Sequence, residues 1–508
     1  MKTKILILLV SLLSITSCKL DLDPYDNVNG EKLWSTPEGN EQILAGGYSR
    51  LRKILSQDRP LYLYGDLPAT ALMTHGNWIA KQATEGDYKG PYMIDWYADW
   101  SLYFEVITTA NTILKHINDV PIDRFGQDGQ KRRDRIRGEA YFLYSLTYFH
   151  MVRIYGELPL VKEAIENAGQ SLDNGSTIGR KQSTEVEILE YLLETSEAAV
   201  ALLDFETPGS TRWAIQADKA AALTLRAHIL LWLSRDANKH PNSIKFMNEA
   251  EQLLDIVINS SNRSLVSYDS KESVNNLFRG KSSEGIFELN FSAASRETYY
   301  INPSSDAWKT QHGTTYFDIS KETLTNLEFM LPLPGKANDL YSQQDKRRTM
   351  FYQNLGNGVD NLQAPPFLLK YAVDLEPDPT NTRRYFVNSN IIIFRLSECI
   401  LLRAETLNRL GRNGNAKMLL NIIRNRAGIG NYDGSDADLA KGIFNERVRE
   451  LAGEGHSAFD RIRTGYWEGC EYMSQERIDK RGYYWPVNID KLIGANRELR
   501  QNPYWASR

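Results

Sequence analysis

Glu446, Glu450 and Glu454 lie four residues apart near the C-terminal end of the chain, with Arg447 between the first two and His456 just beyond. Paired carboxylates can do acid–base chemistry, but only where one of them is kept protonated in a low-dielectric setting. At helical spacing Arg447 reaches Glu450 (i, i+3), and Glu454 lies four beyond Glu450. Carboxylates interleaved with arginine hold protons less tightly, so the pattern predicts a structural ion network and no general acid. Glu454 and His456 do not make the HExxH arrangement that sets two imidazoles on one helix face. The seven histidines of the chain show no ligand spacing.

No phosphate-cradling loop, dinucleotide fingerprint or GxSxG elbow occurs. Asp374, Glu376 and Asp378, and likewise Asp433, Asp436 and Asp438, are short acidic stretches that Ca²⁺ could occupy. Neither has the EF-hand layout, so solvated turn residues are the expectation and no cofactor is called for. The cysteines are Cys18, Cys399 and Cys470, which give no disulfide framework and no CxxC spacing. Cys399 sits in an apolar helical run and reads as a small core residue; a bridge to Cys470 is the alternative. The formal net charge of −4 gives no electrostatic reason to bind nucleic acid. The basic cluster Lys131, Arg132, Arg133 and Arg135 reads as a solvated helix start.

The aromatic residues are the better candidates for function. Tyr62, Tyr64, Trp78, Tyr88, Tyr92 and Trp96 lie in one polar stretch, mixed with His75, Asn77, Asp87 and Asp95. Tyr299, Tyr300, Trp308 and Tyr316 lie in another, with Asn302, Asp306 and Gln311. A sugar presents an apolar C–H face and a rim of hydroxyls; a flat ring covers the first, and amides or carboxylates bond the second. A few polar groups over an aromatic floor is the usual anatomy of a ligand site. Asn77, Trp78, Tyr92, Trp96, Tyr299, Tyr300 and Trp308 are the candidate ligand-binding residues, with Trp78 and Trp308 foremost.

The elements that must carry these groups are mostly helical. From Ala140 to Tyr155 only Ser145, Thr147, His150 and Arg153 are neither apolar nor aromatic, and the apolar residues cover every side of the helical wheel. Such a helix is buried on all sides, and this one is too short and too charged to span a bilayer. Gly156 and Pro159 end it. Further helices are expected over 40–55, 97–117, 186–203 (with Thr184 and Glu187 as a capping box), 215–234, 244–258, 396–410 and 416–426. The last four make two hairpins, in each of which an alanine precedes a leucine by four residues, a loose tetratricopeptide-type pattern. Between the hairpins, proline-rich and strand-like pieces from about 262 to 390 form an insertion. A loop-rich excursion over about 56–95 is long enough to be functional. At the N-terminus Lys2, Lys4 and the apolar run Ile5–Leu13 form a secretory signal. It ends in Ile15-Thr16-Ser17-Cys18, a lipobox that predicts lipidation of Cys18.

Several of these segments resemble the SusD/RagB family of outer-membrane nutrient-binding lipoproteins. The resemblance is carried by Arg137–Val161 (RGEAYFLYSLTYFHMVRIYGELPLV), Arg424–Gly428, Glu446–His456 with Phe459–Arg463, Tyr484–Val487 and Gln501–Tyr504. It implies a SusD-like, mostly α fold: a helical bundle with degenerate tetratricopeptide-type pairs plus a loop-rich insertion with short strands. The organisation would be a signal peptide (1–17), a lipidated tether (18–39), a helical part with a binding loop (40–261), the insertion (262–390) and a C-terminal helical part (391–508).

The resemblance further implies a non-enzymatic protein that captures oligosaccharide at the cell surface through aromatics of the two loop regions. It would be anchored in the outer membrane by its N-terminal lipid. It would hand its cargo to a SusC-like TonB-dependent transporter. A peptide-capturing, RagB-like protein with the same transporter partnership is the alternative. The rival readings are a glycoside hydrolase, for which the sequence isolates no carboxylate pair, and a plain helical scaffold, which would have no small ligand.

Overall fold

The computed structural model describes residues 33–58, 61–69, 73–75, 82–164, 180–291, 330–332, 340–355, 367–370, 375–377, 385–387, 389–488, 491–492 and 496–507. Cys18 and the rest of the signal and lipobox lie outside them. The fold is mostly α, as expected, and no helix of the described residues is long and apolar enough to cross a membrane.

The organising element is the helix Gly129–Tyr155 (α5), buried almost without interruption from Ile136 onward. It begins a full turn or more before the apolar run because its polar first turns are tied down. Arg132 and Arg135 both pair with Glu41 of the first helix, Pro37–Lys53 (α1), at 2.7 and 2.5 Å. The basic cluster is therefore a half-buried clamp between two helices, and only Lys131 stands well out in solvent. At its other end Gly156 adopts φ +76°, and a Cβ there would fall 2.8 Å from the Tyr484 ring. Only glycine allows both the left-handed turn and that close approach.

Around α5 pack α1, Ser101–His116 (α4) and Glu185–Leu202 (α6). Helix α4 starts at Ser101, later than expected, because a short helix Pro91–Tyr97 (α3) ends first and the Asp99 carboxylate accepts from the Ser101 N–H. The capping box of α6 forms as predicted: Thr184 accepts from the Glu187 N–H, and Glu187 accepts from the Thr184 N–H. Thr184→Ala is expected to destabilise the protein by about 1 kcal/mol in urea unfolding; an unchanged midpoint would show the cap to be idle.

Both hairpins form. Lys219–Leu233 (α7) packs on Ser243–Ser260 (α8), and Leu396–Arg409 (α11) packs on Asn413–Arg426 (α12). Helix α7 begins at Lys219 and not at 215, since Ala214 has φ +61° and Asp218 caps the helix by accepting from the Ala221 N–H. Helices α8 and α11 pack directly on one another, so the two hairpins stack as neighbours across the chain segment that separates them. Leu439–Glu450 (α13) then covers α11 and α12.

That intervening segment is rooted in a fully buried antiparallel strand pair. Gly285–Leu289 (β2) lies against Ile391–Arg395 (β8), with Leu289 opposite Ile391 and a bulge near Phe287. β-Branched Ile391, Ile392 and Ile393 suit a strand with no solvent face.

The excursion after α1 is partly core. Its short helix Leu61–Gly65 (α2) is buried throughout, and the Tyr64 hydroxyl donates to the Tyr97 carbonyl at 2.9 Å. Tyr88 is buried and stacks on Trp485 with ring centroids 4.4 Å apart. Tyr62, Tyr64 and Tyr88 are thereby removed from the set of possible binding platforms: they are packing residues. Cys399 and Cys470 are both buried and free, so no bridge joins them.

Candidate functional site

The carboxylates of α13 and the turn after it form the buried network the sequence predicts, with different partners. Arg447 does not pair with Glu450. Its guanidinium reaches Asp460 at 2.8 Å and Glu398 at 3.1 Å, on helices Ser457–Thr464 (α14) and α11. Glu450 instead accepts from Arg395 (2.8 Å), Arg426 (2.7 Å), Arg347 (3.0 Å) and the Tyr268 hydroxyl (2.6 Å). Glu446 pairs with Arg347 and Arg449. Glu454 pairs with Arg395 and Lys370.

Burial alone would raise the Glu450 carboxyl, but Arg426, Arg395 and Arg347 together hold it well below the usual carboxylate range. The same contest, won by the neighbouring cations, lowers Glu446 and Glu454. Groups that stay ionised in this way can orient and bind, but they cannot supply a proton near neutral pH. His456 is pushed down to about 4 by burial and is neutral.

The network reaches into the loop-bearing parts of the chain. Arg347 and Lys370 come from the segment between the hairpins, and Arg395 from its closing strand. Asp66, at the end of α2, accepts from the Gly455 N–H at 2.8 Å. Thus both the 56–95 excursion and the segment after residue 262 are fastened to the turn that follows α13.

Asp66, fastened to this turn through the Gly455 N–H, has no cation in contact among the described residues. Burial pushes it up to about 7, against the pull of the Gly455 N–H and Lys370. Its folded value lies above its unfolded one, so folding takes up a proton between roughly pH 4 and 7. Stability from this group is complete below that window and is lost as pH rises through it. In urea unfolding the wild type is expected to lose ~2–4 kcal/mol more than Asp66→Asn between about pH 4 and pH 8. Parallel pH profiles would refute it.

A small ribbon links the two candidate loop regions more directly. Met73–His75 (β1) pairs antiparallel with Met330–Pro332 (β3), His75 facing Met330 and Met73 facing Pro332. The chain leaving His75 toward Trp78 and the chain arriving at Met330 from Trp308 therefore attach to the same end of the ribbon. The strand Phe367–Leu368 (β5) lies beside β3 and pairs with Tyr352–Gln353 (β4), and Lys370 follows it into the network.

Asn77, Trp78, Tyr299, Tyr300 and Trp308 lie outside the described residues, as do Tyr316, Asn302, Asp306 and Gln311. Tyr92 and Trp96 lie on α3, whose following residues turn into α4. Asp87 and Asp95 are exposed. Of the acidic stretches, Asp436 pairs with Lys417 at 2.6 Å and Asp438 accepts from the Ser435 hydroxyl at 2.6 Å. Among the described residues no group of His, Cys, Asp or Glu is placed to hold a metal ion.

Sequence reasoning missed Asp66, Arg347, Lys370 and Arg395 as partners of the signature. A signal did exist for two of them. Lys370 follows Phe367-Leu368-Leu369 and Arg395 follows Ile391-Ile392-Ile393-Phe394, and a charge ending an apolar run must find a buried counter-charge.

Comparison with known proteins gives the same picture. The profile of the SusD family matches residues 248–505. A second profile, described as starch-binding associating with outer membrane, matches residues 41–231. SusD-like protein P38 of Formosa agariphila is 24% identical, with 98% of each chain covered. SusD-like protein P25 of the same organism is 25% identical, covering 72% of this chain and 69% of its own. A solved SusD homolog from Bacteroides thetaiotaomicron superposes with a TM-score of 0.78 at 22% identity, covering 92% of this chain and 98% of that one. NanU of B. fragilis superposes with a TM-score of 0.71 at 18% identity, covering 95% and 99%. The helical body, the paired strands within it and the charged signature on α13 are thus set in a chain that belongs to the SusD family.

Proposed function

We propose that the protein is a cell-surface glycan-binding lipoprotein, anchored through Cys18, that captures oligosaccharide and delivers it to a SusC-like TonB-dependent outer-membrane transporter. The observation that carries this is the family membership over residues 248–505, joined to the starch-binding, outer-membrane description of the profile matched by residues 41–231. The ribbon of β1 and β3 supports a shared site, because it starts the Trp78 loop and receives the Trp308 loop at one end. Aromatic rings there would stack on the sugar face while Asn77 and its polar neighbours take the hydroxyls.

No bond need be broken. The carboxylates of the α13 signature are each held by arginine or lysine, which suits capture and release better than hydrolysis. Nothing among the described residues favours peptide cargo over glycan. Affinity electrophoresis against a panel of polysaccharides is expected to show retardation on at least one of them, without release of reducing sugar. Unretarded migration on every glycan sinks the cargo assignment. Recovery of a large β-barrel by mild-detergent pull-down tests the transporter partnership separately.

A further inference from the structure

Gly46, Ser49, Arg50 and Lys53 follow one another along α1 at i, i+3, i+4 and i+7, so they form one stripe on the helix. The stripe lines an open cleft of about 470 Å³ that Arg52, Ser56 and Phe291 complete. That volume falls in the range of small-ligand sites.

Two glycines stand side by side in the middle of α1, where alanine would serve the helix better. Packing explains Gly47, since a Cβ there would come within 3.2 Å of the Leu143 and Thr109 side chains. At Gly46 a Cβ would meet nothing within 4 Å among the described residues. The bare backbone at Gly46 keeps the cleft open and lets a ligand approach the helix closely.

The charge of the cleft is one-sided. Arg50, Arg52 and Lys53 line it, and among the described residues no acidic side chain does. Arg50 donates to Glu105 at 2.8 Å. Arg52 is half-buried, which pulls its guanidinium down, and it donates to the Asn290 carbonyl and the Ser49 hydroxyl, each at 3.1 Å. Lys53 is exposed, and its ammonium has no partner among the described residues. Cations in the last turn complement the helix dipole, which accounts for their sign but for neither the cleft nor Gly46. An oxyanion seated on the stripe would accept charge-assisted hydrogen bonds there, beside the hydroxyls of Ser49 and Ser56.

The cleft also lies where both candidate loop regions leave the body. Ser56 belongs to a π-helical turn, Ile54–Asp58, that ends α1 and opens the excursion toward Trp78. Such turns recur at functional sites. Phe291 follows β2, where the chain sets out toward Trp308.

We propose that this cleft seats the carboxylate or sulfate ester of an acidic sugar, so that the captured oligosaccharide is an anionic one. The inference rests on the glycan-capture reading and names the class of glycan.

Affinity electrophoresis of the full chain in gels cast with uronate, sulfated or neutral polysaccharides tests it. Polygalacturonate and alginate serve as the first class, carrageenan and chondroitin sulfate as the second, starch and galactan as the third. Retardation is expected on at least one acidic polysaccharide, and which class retards tells carboxylate from sulfate. Lys53→Glu should weaken that binding about tenfold. Gly46→Met, which changes no charge and favours the helix, should weaken it by a similar factor without lowering the thermal midpoint. That second loss separates a seated group from diffuse attraction. Retardation on neutral polysaccharides alone overturns the proposal and leaves glycan capture standing, whereas retardation on none overturns both. Acidic binding that neither variant weakens also overturns the proposal.

Discussion

Glu450→Gln is expected to cost about 3–5 kcal/mol of stability, and on a domain whose total is of order 5–15 kcal/mol it should sharply reduce the folded yield. The side chain is inaccessible to solvent and serves three guanidinium groups and a phenol at once. The amide keeps the shape but removes the charge that compensates Arg347, Arg395 and Arg426 in a medium where water cannot substitute. The loss should spread. Arg347 belongs to the segment between the hairpins, and Arg395 also anchors Glu284 and Glu454. A double-mutant cycle with Arg426→Met should therefore show strong coupling, since removing both partners relieves an unpaired charge. A single-variant cost below about 1 kcal/mol in urea unfolding would mean that the network is dispensable.

The second large effect is on binding. Under the proposed function, Trp78→Ala and Trp308→Ala should each weaken retention on the bound glycan about tenfold, roughly 1.4 kcal/mol, and the pair together should abolish it. Both variants should keep the far-ultraviolet dichroism and melting temperature of the wild type. Tyr88→Ala is the contrasting control. Its ring is stacked on Trp485 and lies near Trp505 inside the core, so its loss should lower stability by about 3–5 kcal/mol. If Trp78→Ala and Trp308→Ala leave retention untouched while the protein still binds glycan, the ligand sits elsewhere on the molecule.

Tyr88 shows where sequence stops being informative. It sits among polar and glycine residues, as Trp78 does in the same excursion. The partners that bury Tyr88, namely Trp485 and Trp505, lie close to the other end of the chain, and no local pattern announces them. Helix α5 was legible because its apolar residues leave no face for water, and α6 because Thr184 and Glu187 sit at the capping interval. The hairpins were legible for the same periodic reason. The pairing of the first turns of α5 was hidden, since Arg132 and Arg135 look like a solvated helix start until Glu38 and Glu41 are placed beside them.

Within the signature, the charge type was readable and the pairing was not. Arg447 and Glu450 are one helical turn apart, yet each is drawn to a partner across a helix interface, because a buried ion satisfies its donors through tertiary neighbours of fixed geometry. The candidate site was legible as two regions of aromatic and polar composition. That β1 and β3 join them depends on a pairing between short strands more than two hundred residues apart, for which sequence offers no register.

The strand pair β2–β8 has an evolutionary corollary. The polypeptide departs from the helical body after Leu289 and returns at Ile391, side by side with it. Closing a loop whose two stems are already neighbours costs only logarithmically more as residues are added. What hangs between those stems can therefore lengthen or shorten while the scaffold beneath keeps its geometry, provided that Arg347 and Lys370 stay in place to pair with Glu446, Glu450 and Glu454. A gene encoding such a chain could vary that cassette around its two fixed cations, leaving the hairpins and the α13 charges as a common chassis.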